Sequence, residues 1–214
     1  EATVRGLAER GVRAGRGGGG EDAGLHGVLW RDGHWDGGAD SRREGVVLVH
    51  TQKMNTLVYD VAAGKIVAEI PNTRHPDLAG GLMLANSEGG GMETIIRMSD
   101  TGGSPRPITS HPEDTYPQWS PSMASLVYAS TAYGDRRSRL FYQEDAGAQF
   151  DAPPLLYDKR ELFGDNPVYL DNWRIAFQGC NTWTRGSKCC IYSTDSKGSE
   201  PVRATILTAD VPTG

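Results

Sequence analysis

The stretch DTYPQWSPSMASLVYAS, residues 114–130, decides how the rest of this chain is read. Its second half, SLVYAS, is a short run of β-branched and aromatic residues suited to a pleated, half-buried strand. The preceding SPSM is turn chemistry: proline presets one backbone angle, and serine hydroxyls bond back to their own main chain. A turn followed by a short strand ending in an aromatic is a small unit. The question is whether the unit recurs.

It does. From Gly45 onward, GVVLVHT is followed by NTLVYDV and GKIVAEI, GGLMLANS by METIIRMSD, SLVYAST by SRLFYQE, and WRIAFQG by CCIYSTD. These runs are short and rich in Val, Ile, Leu, Tyr and Phe, and none sustains a helical period over the length a helix needs. The 28 glycines and 12 prolines among 214 residues fit a chain of many turns. The expected fold class is all-β.

Leu84, Tyr128 and Phe177 each close the same kind of strand, and each is followed by a polar loop, a second strand, a turn and a third strand. IIRMSDTGGSPRPIT (95–109) and IYSTDSKGSEPVRAT (191–205) share their length, a Gly, a Pro and a closing Thr. Four strands per unit at a period of roughly 40–50 residues is the pattern of a β-propeller blade. Residues 45–214 are expected to form three clear blades with a fourth before them. Residues 1–44, with RAGRGGGGED and RDGHWDGGAD, read as an irregular or small-β segment. Asp32, Asp36 and Asp40 lack the alternate-residue spacing of a calcium loop.

The motif in residues 114–130 resembles the repeat of TolB-like β-propellers, Asp-x-x-Pro-x-Trp-Ser-Pro-Asp-Gly followed by a strand. Asp114, Pro117, Trp119, Ser120, Pro121 and Tyr128 match, while Ser122 and Met123 stand in place of Asp-Gly. Weaker copies are DNPVYLDNWRIAF, with Asp165, Pro167 and Phe177, and HPDLAGGLMLA, with Pro76. The resemblance implies structural roles for these residues: the Trp packs between blades, and the Asp and the Ser-Pro turn fix the strand entry. Four blades is few for a closed ring of this type. Missing residues, strands from the N-terminal segment or neighbouring chains would have to complete it. Val12, Arg13, Gly15 and Gly17 are similar to the start of bacterial Src-homology-3-like domains, which are usually longer than the 44 residues before the blades.

No G-x-S-x-G elbow, H-E-x-x-H zinc helix or phosphate loop is present, and the five histidines form no ligand pair. His111 lies near Asp114, but no nucleophile completes an acid–base set. No enzyme, metal or cofactor is expected. A net charge of −5 without a long basic run argues against nucleic acid. Apolar runs such as GVVLV fall far short of the ~20 residues of a spanning helix. In a propeller, the loops between second and third strands emerge on the face of the inter-blade connections. Here they are residues 50–55, 86–92, 131–139 and 180–188. Two carry interface-type residues: Tyr133, Arg136, Arg137 and Arg139, then Trp183, Arg185 and Lys188. They form a locally basic face suited to an anionic partner.

The stretch GCNTWTRGSKCC, residues 179–190, holds all three cysteines. A zinc site would need distant ligands, and a C-x-x-C redox motif is absent. A bridge remains. Pairing Cys180 with Cys189 sets Phe177 opposite Tyr192 and Gln178 opposite Ile191, so both strands continue sensibly. Cys189 and Cys190 point to opposite faces, so only one can meet Cys180. Cys190 then behaves as a small buried hydrophobe. A Cys180–Cys189 disulfide implies an oxidising compartment, and an opening on Glu1 rather than Met fits a processed secreted chain or the visible part of a longer one. The expected function is a non-enzymatic, extracytoplasmic scaffold that binds other protein chains, in a homo-oligomer or larger assembly, through its loop face. The alternatives are an accessory propeller of a secreted or envelope hydrolase, and a glycan-binding propeller using Trp183 and Tyr133.

Overall fold

The computed structural model describes residues 30–31, 34–35, 46–51, 53–89, 91, 93–146, 152–180, 189–198 and 202–203. Every regular element among them is a strand, and neighbouring strands pair antiparallel. β1 (Trp30–Arg31) and β2 (His34–Trp35) form a hairpin of their own. Four successive sheets follow. The first holds β3 (Val46–His50), β4 (Thr56–Asp60) and β5 (Lys65–Ile70). The second holds β6 (Thr73–Ala79), β7 (Leu82–Ser87), β8 (Ile95–Ser99) and β9 (Arg106–Pro107). The third has β10 (Asp114–Trp119), β11 (Leu126–Ser130) and β12 (Arg139–Gln143). After the hairpin of β13 (Leu156–Tyr157) and β14 (Arg160–Glu161) comes the fourth, with β15 (Asp165–Tyr169), β16 (Arg174–Cys180), β17 (Cys189–Asp195) and β18 (Val202–Arg203).

Each sheet has the meander of a propeller blade, with the strand order following the sequence. The third sheet replaces its outermost strand with two short segments. Leu155 N–H donates to Leu140 O at 2.8 Å, and Leu140 N–H to Leu162 O at 3.0 Å. Residues on either side of the β13–β14 hairpin therefore share the free edge of β12, and the hairpin is an insertion in the outer strand. The first sheet departs differently. β3 packs against β6 as β7 packs against β10 and β11 against β15. β3–β5 are thus second, third and fourth strands, and no described residue fills the innermost position of that sheet. The four sheets do not close into a ring among the described residues.

Three apolar clusters lie between consecutive sheets. Val46, Leu48 and Val58 of the first sheet meet Leu78, Met83, Ala85, Ile96 and Met98 of the second. Leu84 and Ile95 of the second meet Trp119, Leu126, Tyr128 and Phe141 of the third. Val127 and Leu140 of the third meet Ile175, Phe177 and Tyr192 of the fourth. A strand buried on both faces shows no polar alternation, and this misplaces one residue of the sequence repeat. Registers align Tyr128 and Phe177 with Ala85, not Leu84, because Ala129, Gln178 and Asn86 are the equivalent partners of Leu140, Ile191 and Ile95. Leu84 and Ala85 are both fully buried, so hydrophobicity alone could not choose between them.

Polar bonds repeat between blades as well. Each innermost strand of the second, third and fourth sheets has a bulge, at Arg74/Asp77, Thr115/Gln118 and Asp165/Val168. In the second and third sheets the residue after the bulge proline reaches the next blade. Asp77 Oδ2 accepts from Trp119 N–H at 2.6 Å, and Gln118 Oε1 accepts from Tyr169 N–H at 3.3 Å. Trp119 also donates its indole N–H to Leu82 O at 3.1 Å and is 2% exposed. It packs between blades, as the repeat implies. The altered turn keeps its shape. Met123 N–H donates to Ser120 O at 2.8 Å, and Met123 takes the left-handed φ of 59° that a Gly would adopt more cheaply. Its side chain packs against the second cluster.

Trp119 is the sharpest test of this packing. Trp119→Ala should lower the free energy of urea unfolding by about 3–5 kcal/mol. Trp119→Phe, which keeps most of the packing but loses the bond to Leu82 O, should cost about 1–2 kcal/mol.

Candidate functional site

The start of each innermost strand pairs with the end of the strand beside it: Thr73 with Ser87, Asp114 with Ser130, Asp165 with Gln178. The ends of β7, β11 and β16 therefore lie at the same end of the molecule as the bulges. This end gathers two sets of residues, a row along the inner rim and a loop beside it.

The rim row comes from three dipeptides, His75-Pro76, Tyr116-Pro117 and Asn166-Pro167. Each pre-proline residue has a positive φ, at 47°, 51° and 48°. Left-handed backbone at a non-glycine residue is strained, and a bulge re-aims the side chain it carries. The three dipeptides, with Gln118 and Val168, line one shallow cavity of about 60 Å³. His75 lies against the Tyr116 ring, centroids 3.9 Å apart. Its Nδ1 is 3.1 Å from Thr115 Oγ1 and 3.2 Å from Asn86 Oδ1. Asn86 in turn donates to Asp114 O and accepts from Tyr116 N–H at 3.3 Å. These contacts hold the His75 and Tyr116 part of the row in a fixed arrangement. The row's signal in the sequence was the prolines alone; the pre-proline positions differ in chemistry and share only their backbone.

The loop of residues 131–138 is held from below. Arg139 donates Nη1 and Nη2 to the Asp135 carboxylate at 2.8 and 2.6 Å, and Nε to Glu161 Oε2 at 2.7 Å. Its guanidinium also lies over the Tyr133 and Phe163 rings, at 4.6 and 4.9 Å. The hydrogen bonds with Arg139 hold Asp135 well below the ordinary carboxylate range, and Asp135 in turn raises Arg139. This corrects one expectation. Arg139 is only 5% exposed and fastens the loop to the inserted hairpin, so it offers no free charge to a partner. Tyr133 is 54% exposed, and Arg136 and Arg137 are exposed too. Arg137 stands over Phe163 at 5.1 Å. These three remain presented on a pinned loop. Trp183, Arg185 and Lys188 lie outside the described residues.

Asp114 and His111 make a turn, not an acid–base pair. Asp114 Oδ2 accepts from His111 N–H at 3.3 Å, and His111 Nδ1 from Glu113 N–H at 3.2 Å. Burial raises the Asp114 carboxyl above its ordinary range, against bonds from Thr109, Ser130 and His111 that lower it. Asp165 is raised in the same way by burial, opposed by Asn166 and Ser138. In register, however, Asp165 matches Thr115 and not Asp114, since both stand just before the bulge. Ser120 and Pro121 form the inter-strand turn, with Ser120 Oγ accepting from Ser125 N–H at 3.1 Å. Among the described residues, no group of three or more His, Cys, Asp or Glu is placed to hold a metal ion.

The backbone register between β16 and β17 is the expected one. Cys180 stands opposite Cys189, Gly179 opposite Cys190, and Phe177 opposite Tyr192. Gly179 is required here. A β-carbon on it would lie 2.7 Å from the Phe163 carbonyl oxygen. The residues between, 181–188, are outside those described, as are nearly all of residues 1–44, where the Src-homology-3-like likeness falls.

Solved structures give the same architecture. A TolB-type protein from Agrobacterium tumefaciens matches 78% of this chain with a TM-score of 0.62 at 19% identity. TolB from Acinetobacter baumannii matches 75% with a TM-score of 0.57 at 15% identity. The fold is that of a TolB-like β-propeller. Hydrazine synthase from Kuenenia stuttgartiensis is also similar over 79% of the chain, with a TM-score of 0.54 at 14% identity. The chain spans 60% of the length of the Agrobacterium protein and 40% of the Acinetobacter one. No protein-family model and no curated protein sequence matches it.

Two measurements separate structural from presented groups. Arg139→Ala should destabilise the fold by about 1–3 kcal/mol, less than a fully buried pair because Asp135 and Glu161 regain water. Arg136→Ala and Arg137→Ala should each stay within about 0.5 kcal/mol. Asp114 has a folded pKa above its unfolded value, so its contribution to stability is complete below about pH 4 and is lost as pH rises through the folded value. Unfolding free energy measured across that window should fall more steeply with pH in the wild type than in Asp114→Asn.

Proposed function

We propose that this chain is part of a non-enzymatic, extracytoplasmic propeller that binds another protein through the face formed by the bulge row and the loop of residues 131–138. The carrying observation is the construction of that loop. A buried Arg139, two carboxylates and two aromatic rings hold it, while Tyr133, Arg136 and Arg137 stay in solvent. Tyrosine and arginine on a rigid support lose little conformational freedom on binding, which is what an interface anchor needs. Two exposed guanidinium groups on a chain of net charge −5 favour an acidic partner surface.

Placement outside the cytoplasm rests on the cysteines. Cys180 and Cys189 are register partners on adjacent strands, and a bridge between them would close the loop of residues 181–188. Such a bridge persists in an oxidising compartment. Thiol titration of the denatured, unreduced protein should find one reactive cysteine. Three would contradict the bridge and the placement drawn from it.

The binding role is tested by comparing captures from an envelope extract. Wild-type protein and a Leu170→Ser/Trp173→Ser variant, altered at the opposite end, should retain the same partner. The Tyr133→Ala/Arg136→Glu/Arg137→Glu variant should lose it. Equal capture by all three would reject this face.

A further inference from the structure

The turn between β10 and β11 carries a methionine where its backbone favours glycine. We propose that Met123 is a site of reversible oxidation, and that its sulfoxide loosens the junction between the second and third sheets.

Met123 takes a left-handed φ of 59°, a conformation that is unfavourable for any residue with a β-carbon. What the methionine gains is position. Its side chain packs on the apolar cluster that Leu84 of the second sheet forms with Trp119 and Leu126 of the third. The residue it meets is Gly80, in the turn between β6 and β7, itself at a φ of 52°. A β-carbon on Gly80 would lie 2.6 Å from Met123 Sδ and 3.1 Å from its Cε. The thioether therefore fills the space that a side chain at position 80 would need. The two turns interlock through a sulfur atom on one side and a missing side chain on the other.

Neither turn has slack. Gly81 O accepts from Asp100 N–H at 3.1 Å, and Leu82 O accepts from the Trp119 indole N–H at 3.1 Å. The facing turn is closed by Met123 N–H to Ser120 O at 2.8 Å and Ser120 N–H to Ser125 O at 2.9 Å.

Exposure sets Met123 apart from the other described methionines. Met83 and Met98 are fully buried, which shields their sulfur. Met54 is 42% exposed but belongs to none of the apolar clusters, so its oxidation disturbs no packing. Met123 is half-buried between exposed Ser122 and Ala124. It is both reachable from solvent and structural.

Hydrogen peroxide is the oxidant class that fits. A sulfur lone pair attacks one peroxide oxygen, the S–O bond forms and the O–O bond breaks. The departing oxygen takes the proton of the transferred one and leaves as water. Sulfur loses two electrons and the peroxide gains them. A dithiol reductase reverses the step, releasing the oxygen as water and ending as a disulfide. The sulfoxide oxygen is a strong acceptor set against Gly80 and apolar side chains. Burying it without a donor is unfavourable, so the turns separate. The bond from Trp119 to Leu82 O weakens first, because Leu82 follows the Gly80–Gly81 turn directly. His75 and Tyr116 span the same junction at its far end, which couples the modification to the rim row.

Treatment of the full chain with dilute hydrogen peroxide, followed by peptide mass mapping and thermal melting, tests this. Gain of one oxygen at Met123 should lower the melting temperature by about 4–8 °C, the effect of one buried unpaired oxygen in a chain of this size. The Trp119 indole N–H should exchange faster with solvent. Met123→Leu keeps the packing without the sulfur. The same treatment should leave its melting temperature and indole exchange unchanged, although Met54 gains oxygen in both proteins. Met123→Gly serves the comparison if the leucine variant does not fold. Full oxidation of Met54 with Met123 intact would overturn the proposal. So would oxidation of Met123 without change in melting or exchange, or an equal loss of stability in the variant.

Discussion

Everything in this molecule depends on the fact that no sheet in it can cover its own faces. Each blade is three or four short strands with apolar residues on both sides, and it is stable only between neighbours. The apolar clusters supply the bulk of that stability, and the bond from the residue after the bulge proline to the next innermost strand sets the registration. Asp77 to Trp119 and Gln118 to Tyr169 are the same bond made twice with different side chains. A carboxylate and an amide serve equally because the donor is a backbone N–H in a fixed place.

That registration also builds the candidate site. The bulge that positions Asp77 and Gln118 for the next blade forces the preceding residue into left-handed backbone, and so presents His75, Tyr116 and Asn166 along the inner rim. Structure and surface are two consequences of one local distortion. The prolines hold the backbone, and the residues before them are free to differ. The loop of residues 131–138 is made rigid in another way, by burying one arginine so that its neighbours need not be buried.

Much of the fold was legible in the sequence. Strand-like runs separated by turns and the register of residues 177–180 against 189–192 follow from side-chain size and alternation. Leu84 was misplaced by one residue because strands buried on both faces carry no parity signal. The inserted hairpin at residues 156–161 was invisible, since an interrupted outer strand reads like any polar loop. Arg139 was taken for a surface anchor because nothing in YGDRRSR distinguishes the one arginine that turns inward. That distinction comes from Asp135 and Glu161 on either side of it, and Glu161 is distant in sequence. The pre-proline row could have been suspected from three X-Pro pairs at blade spacing, but its left-handed backbone has no sequence signature.

The bond between blades is open to direct measurement by amide hydrogen exchange. If Asp77 and Gln118 hold the innermost strands together, the N–H groups of Trp119 and Tyr169 should exchange only on the timescale of global unfolding, matching the core amides of β11. Exchange of either at the rate of the exposed loop of residues 131–138 would contradict the account, because the blades would then be held by apolar contact alone.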